Sequence, residues 1–110
     1  MRKGGENVKI IKELVDDIRH NIHEAREKME DAYRLQHKDK LAADWYRDMA
    51  AAHLKFNEYG HSNVTRLINE ARSQMGDNPM LPGMLAVYED MHADVMKEAA
   101  EVQAMISTYK

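Results

Sequence analysis

Apolar residues recur in alternating steps of three and four through the first third of the chain: Val8, Ile11, Val15, Ile18, Ile22, Ala25, Met29 and Ala32. A half-buried strand would alternate with period two, so this spacing demands an α-helix with one continuous seam to bury. The expected helix covers about residues 6–36, behind a flexible N-terminus at 1–5. A helix of that length has no use for its seam alone and must pack it against other helices.

Two further stripes supply those partners. One runs Ala42, Tyr46, Met49, His53, Phe56, Gly60, Val64, Leu67, Ala71, for a helix over about 40–75. The other runs Met84, Tyr88, Met91, Val95, Glu98, Val102, Met105, Tyr109, for a helix over about 83–109. Gly76 suits a helix C-cap, Asn78 an N-cap and Pro79 a first turn, so the second break is well marked. Pro82 and Gly83 put the start of regular structure near residue 83. At the first break, His37–Lys40 holds neither Gly nor Pro. The seam of helix one would continue onto 36, 39 and 43, whereas the apolar stripe resumes on 42, 46 and 49. That change of phase implies a hairpin, with Asp39 as the cap of the second helix. Short connections make neighbours antiparallel. The expectation is therefore an all-α, antiparallel bundle of three long helices in one domain over 6–110, completed by dimerisation. Trp45, Tyr46 and Phe56 are read as core or dimer contacts.

Composition removes several classes of function. Acids outnumber bases 19 to 16 and the two are interspersed, so no basic face for nucleic acid is expected. Apolar runs are only a few residues long, so neither a membrane span nor a secretory leader is expected, and the expected location is cytoplasmic. Cysteine is absent, removing disulfides, thiolate metal sites and thiol nucleophiles together. Serine occurs only at 62, 73 and 107. Ser62 and His61 are adjacent on a helix and point apart, so no hydrolase activity is expected, and a non-enzymatic role is preferred. Nine methionines suit adaptable core filling.

Two short stretches, NEYGH and YEDMH, each place a Glu three residues before a His: Glu58 with His61, and Glu89 with His92. On a helix each pair shares a face. A hairpin turn near 39–40 sets His61 level with Ile18 and Glu58 level with Asn21, close to His20, His23 and Glu24. A turn near 77 sets His61 level with Asp94, and His92 level with Asn63. One slab of the bundle thus gathers Glu24, Glu58, His61, Glu89 and His92 as candidate metal ligands, with His20, His23 and His53 as weaker ones. Carboxylates and imidazoles on facing helices suit iron or manganese. Against that stands the plain alternative of exposed Glu–His pairs on solvated faces, with His53 a core histidine and Glu24–Asp31 an array of intrahelical ion pairs.

The segments LAADWYRDMAAAHLKFNEYGHSNVTRLINEA and MLAVYEDMHADVMKEAAEVQAM resemble small ferritin-like helical proteins found in bacterial prophage-type gene sets. The likeness spans about residues 20–109. It rests on the acid before Ala25, the Trp45–Tyr46 pair, His61 ahead of Val64, the Asn78–Pro79 region, AVYE with His92, and the terminal AAEV. The resemblance implies a ferritin-like bundle and a carboxylate/histidine metal site. It carries over to Glu24, His61, Glu89 and His92. It fails where the family pattern has Glu-Glu-x-x-His on helix two, here Ala51, Ala52 and Lys55, and where Val95 replaces a second His. Losing two carboxylates and gaining a cation weakens any site for a positive ion. The expected function is thus a structural or partner-binding module with a degenerate metal site, acting as a homodimer or with another protein partner. The alternative is a divalent-metal protein that oxidises or stores iron.

Overall fold

The computed structural model describes residues 4–73 and 80–110. It contains three α-helices: α1 (Gly4–Leu35), α2 (Lys40–Ser73) and α3 (Leu81–Thr108). There is no strand among the described residues. The expected roles of Gly76, Asn78 and Pro79 lie outside them. None of the described helices is long and apolar enough to cross a membrane.

The seam of α1 is buried along its whole length: Val8, Ile11, Val15, Ile18, Ile22, Ala25, Met29 and Ala32 are each at most 3% exposed. Each fully buried Ile or Val contributes roughly 1.5–3 kcal/mol, so this row dominates the core. The helix ends on local bonds, with the Lys38 and Asp39 amides both donating to the Leu35 carbonyl. Asp39 then caps α2. Its side-chain oxygen accepts from the Ala42 amide at 3.2 Å, and its carbonyl accepts the first intrahelical bond from Ala43.

In α2 the buried row differs from the expected one. Ala43, Ala50, Asn57, Val64 and Ala71 face inward at a strict seven-residue interval, joined by Leu67 and Ile68. Tyr46, Met49 and His53 are only half-buried, and Phe56 is 79% exposed. The reason is packing distance. Bulky Ile18, Ile22 and Met29 fill the α1 face, so the opposing row of α2 must be small. Gly60 shows this directly, because a Cβ there would lie 2.9 Å from Cγ1 and Cδ1 of Ile18. Over the first half of α2 the large side chains are displaced to other faces, and Leu67 and Ile68 enter the core only beyond Gly60.

α3 opens with Pro82 in its first turn, where the missing amide proton has no helical partner to lose. It turns Leu81, Leu85, His92, Val95 and Val102 inward. The helices run up, down and up. Asn57 of α2 bonds to Ile18 of α1, whereas contacts between α1 and α3 rise together from Arg26–Glu98 to Tyr33–Met105 and Gln36–Lys110. Arg26 sits in the acidic and basic stretch of α1, yet it crosses to Glu98 and Glu101 of α3 instead of pairing within its own helix.

Tyr109 closes the far end. It is 6% exposed, meets the edge of Tyr33 with ring centroids 5.7 Å apart, and donates to Asp44 Oδ1 at 2.7 Å. Lys40 donates to the Tyr109 hydroxyl and to the Lys110 carbonyl. The end of α3 is thereby tied to the α1–α2 turn. The whole is a rod with Cα extents of 60 × 21 × 15 Å and a radius of gyration of 17.2 Å. A compact domain of this length has a radius near 13 Å, so an unusual share of side chains stays at the surface.

Candidate functional site

The α1–α2 register follows from the Asp39 turn. It sets Ile18 opposite Asn57 and Gly60, which brings His61 just past the Ile18 layer. On the other side of α2, the inward row of α3 carries His92 to the same height. The two histidines meet: His61 Nδ1 and His92 Nε2 are 2.9 Å apart, with the rings tilted by 34°. His92 is 6% exposed and His61 is half-buried. One ring nitrogen must donate and the other accept, so the pair is at home with both rings neutral.

Burial holds both imidazoles below their ordinary basicity. For His61, burial is partly opposed by the nearby Glu58 carboxylate, which favours the charged ring. For His92, burial is reinforced by His61, since two adjacent imidazolium charges repel. Around the pair the α2–α3 groove is open. Met96, one turn beyond His92 on α3, shares one hollow with His61 and Glu58, and another with His92 and Glu89.

The other candidate ligands do not converge on this pair. Glu24 lies on α1 with its carboxylate 3.8 Å from His20 of its own helix. His23 similarly faces Glu27 at 3.2 Å. Glu89 is held by Arg72 of α2. Glu58 is exposed, and its electrostatic reach to His61 is its link to the pair. His53 is half-buried beside Met49, Ala52 and Phe56 in a shallow hollow that reaches Asn21 of α1. Among the described residues no three His, Asp or Glu side chains are gathered closely enough to hold a metal ion.

One feature escaped the reading of the sequence, and a second was read only at Trp45 and Phe56, as core or dimer contacts. Asn57 is 3% exposed, with its amide directed at the Ile18 carbonyl at 3.4 Å. The seven-residue interval from Ala43 would have revealed it as a core position. The second feature is an apolar stripe on the outward face of α2. Leu41 is 85% exposed, Trp45 55%, Phe56 79% and Tyr59 79%. They stand at helical spacing on one side, with the exposed Ala52 between them, opposite the Ala43–Ala50–Asn57 row.

Comparison of the chain with family models, curated proteins and solved structures finds no match.

Proposed function

We propose that the chain is a structural, partner-binding helical module of ferritin-like kind with a degenerate carboxylate site, and that its partner is a second copy of itself. The observation that carries this reading is the outward stripe Leu41–Trp45–Phe56–Tyr59 on α2. At about 200 Å² for each large side chain, the four expose roughly 600 Å², at the upper end of what a monomer leaves uncovered. Two copies joined through it would bury roughly 1,200 Å² in total, past the roughly 1,000 Å² that a specific interface needs.

The stripe is self-complementary. In a two-fold antiparallel arrangement with the axis near residues 50–51, Leu41 faces Tyr59 of the partner subunit and Trp45 faces Phe56 of the partner subunit. Asp48 and Lys55 lie on the same flank of the stripe, so each reaches its opposite charge across the axis. Among the described residues Lys55 has no ion pair and Asp48 is bonded only to the adjacent Arg47. The ferritin-like reading is supported by three long helices in up-down-up order. The degenerate site is supported by Ala51, Ala52 and Lys55 on α2, and by Glu24 and Glu89 already engaged with His20 and Arg72. Iron and manganese favour carboxylate oxygens, which this arrangement directs elsewhere.

Sedimentation velocity over a concentration series tests the proposal. Trp45 is the sole tryptophan, so its emission should shift to the blue as the dimer forms. A dimer at micromolar concentration is expected, and Phe56→Glu should leave a helical monomer. A wild-type chain still monomeric at about 100 μM, where even weak specific pairs associate, would overturn it.

A further inference from the structure

We propose that His61, His92 and Met96 bind a single monovalent copper ion in the groove between α2 and α3. All three donors come from one chain, so this site does not depend on self-association. It keeps His61 and His92 from the candidate iron or manganese ligands, puts the Met96 thioether in place of the carboxylates, and takes a different metal.

The geometry begins with the two imidazoles. They are delivered by different helices, and their facing nitrogens are 2.9 Å apart. Two nitrogens bound to one ion at about 2.0–2.1 Å stand roughly 3.3–3.6 Å apart at tetrahedral or trigonal angles. The rings need separate by only about half an ångström, which small side-chain rotations supply without moving the helices. Met96 follows His92 by one turn and so projects from the same face of α3. It lines the hollow containing His61 and the hollow containing His92. It is 48% exposed, so its thioether can swing toward the pair without leaving a hole in the core.

The donor set selects the ion. Hard cations such as magnesium, calcium and manganese need several oxygens, and Glu89, which lines the His92 hollow, is held by Arg72. Zinc favours imidazole, carboxylate or thiolate, but the chain has no cysteine, and among the described residues no His, Asp or Glu joins the pair as a third ligand. Two imidazole nitrogens with a thioether are a soft, low-coordinate set suited to monovalent copper. Glu58 borders the same hollow and supplies nearby negative charge without being a required ligand.

Binding replaces one hydrogen bond. The proton between the rings leaves the facing nitrogen and is taken up by the far nitrogen of the same ring. Both facing lone pairs are then free for the ion, with no net proton released and no change in copper oxidation state.

The test uses the full chain without a histidine tag, kept reduced and free of oxygen, competing for Cu(I) with bicinchoninate. One copper per chain is expected. Met96→Leu preserves size and should weaken Cu(I) binding by about tenfold or more. His61→Gln should weaken it further, with helical circular dichroism unchanged in both variants. Ag(I), a redox-silent substitute, should shift the Met96 methyl resonance. Failure to draw copper from bicinchoninate would overturn the site, as would equal affinity in wild type and Met96→Leu. A one-to-one zinc complex tighter than the copper complex would overturn the choice of metal.

Discussion

Gly60 of α2 lies directly against Ile18 of α1, close enough that a methyl group at residue 60 would stand 2.9 Å from two carbons of the isoleucine. This contact sets the distance between the two longest helices. Gly60→Ala removes a poor helix former, worth about 1 kcal/mol of stability, but overpacks the seam at a cost of about 1–3 kcal/mol. The expected outcome is a net loss of about 1 kcal/mol, read as a lower denaturation midpoint. In an Ile18→Ala background the same methyl enters vacated space and should stabilise. A cycle of the four proteins therefore gives a coupling energy whose sign reports the contact. If Gly60→Ala raised stability in the wild-type background, close approach at this point would be wrong.

The His61–His92 contact makes a pH prediction. Both rings have basicity lowered by burial, from an unfolded value near 6.5. The unfolded chain therefore takes up protons first as pH falls. Stability contributed by the neutral pair is complete above pH 6.5 and is lost as pH drops through the lowered folded values. Glu58, near His61, narrows the window by favouring the charged ring. Denaturation midpoints measured from about pH 7.5 to about pH 5 should fall, and the double variant His61→Gln/His92→Gln should flatten that part of the profile. An unchanged slope in the double variant would show that other groups set the pH dependence.

A third prediction concerns the clamp at Tyr109. Its hydroxyl is the first cause, ahead of Lys40, of the lowered pKa of Asp44. Tyr109→Phe keeps the ring against Tyr33 and should raise the Asp44 value back toward 3.8, visible in carboxyl-carbon titrations by NMR. A lowered carboxyl pKa contributes stability above the unfolded value that is lost as pH falls through the folded one, so Tyr109→Phe should reduce acid sensitivity. Tyr109→Ala also removes the buried ring and should cost about 3 kcal/mol. An Asp44 titration unmoved by Tyr109→Phe would contradict the hydrogen bond.

These residues also show what sequence could and could not disclose. The α1 seam was legible residue by residue because that helix has one strongly apolar row and nothing competes with it. α2 carries two apolar faces. A stripe chosen for large side chains favours Met49 and Phe56, whereas the fold buries Ala43, Ala50 and Asn57, because close packing against bulky residues selects small ones. The common height of His61 and His92 followed from counting outward from two turns. The fate of the carboxylates did not: whether Glu89 joins the histidines or Arg72 depends on side-chain geometry across two helices, which periodicity does not encode.

The proposed dimer makes the sharpest demand, because its register places Asp48 against Lys55 of the partner subunit on both sides of the axis. Exposed pairs are worth little singly, about 0.2–1 kcal/mol, yet two-fold symmetry doubles each change. Lys55→Asp should set like charges opposite each other twice and weaken the dimer about tenfold, with the loss reduced at high salt. Asp48→Lys should do the same. Combining the two substitutions restores opposite charges across the axis and should recover most of the wild-type association constant by sedimentation equilibrium. A parallel pairing of α2 helices would set residues 48 and 55 far from each other. Their substitutions would then act independently, and a double variant no better than the worse single one would exclude the antiparallel register.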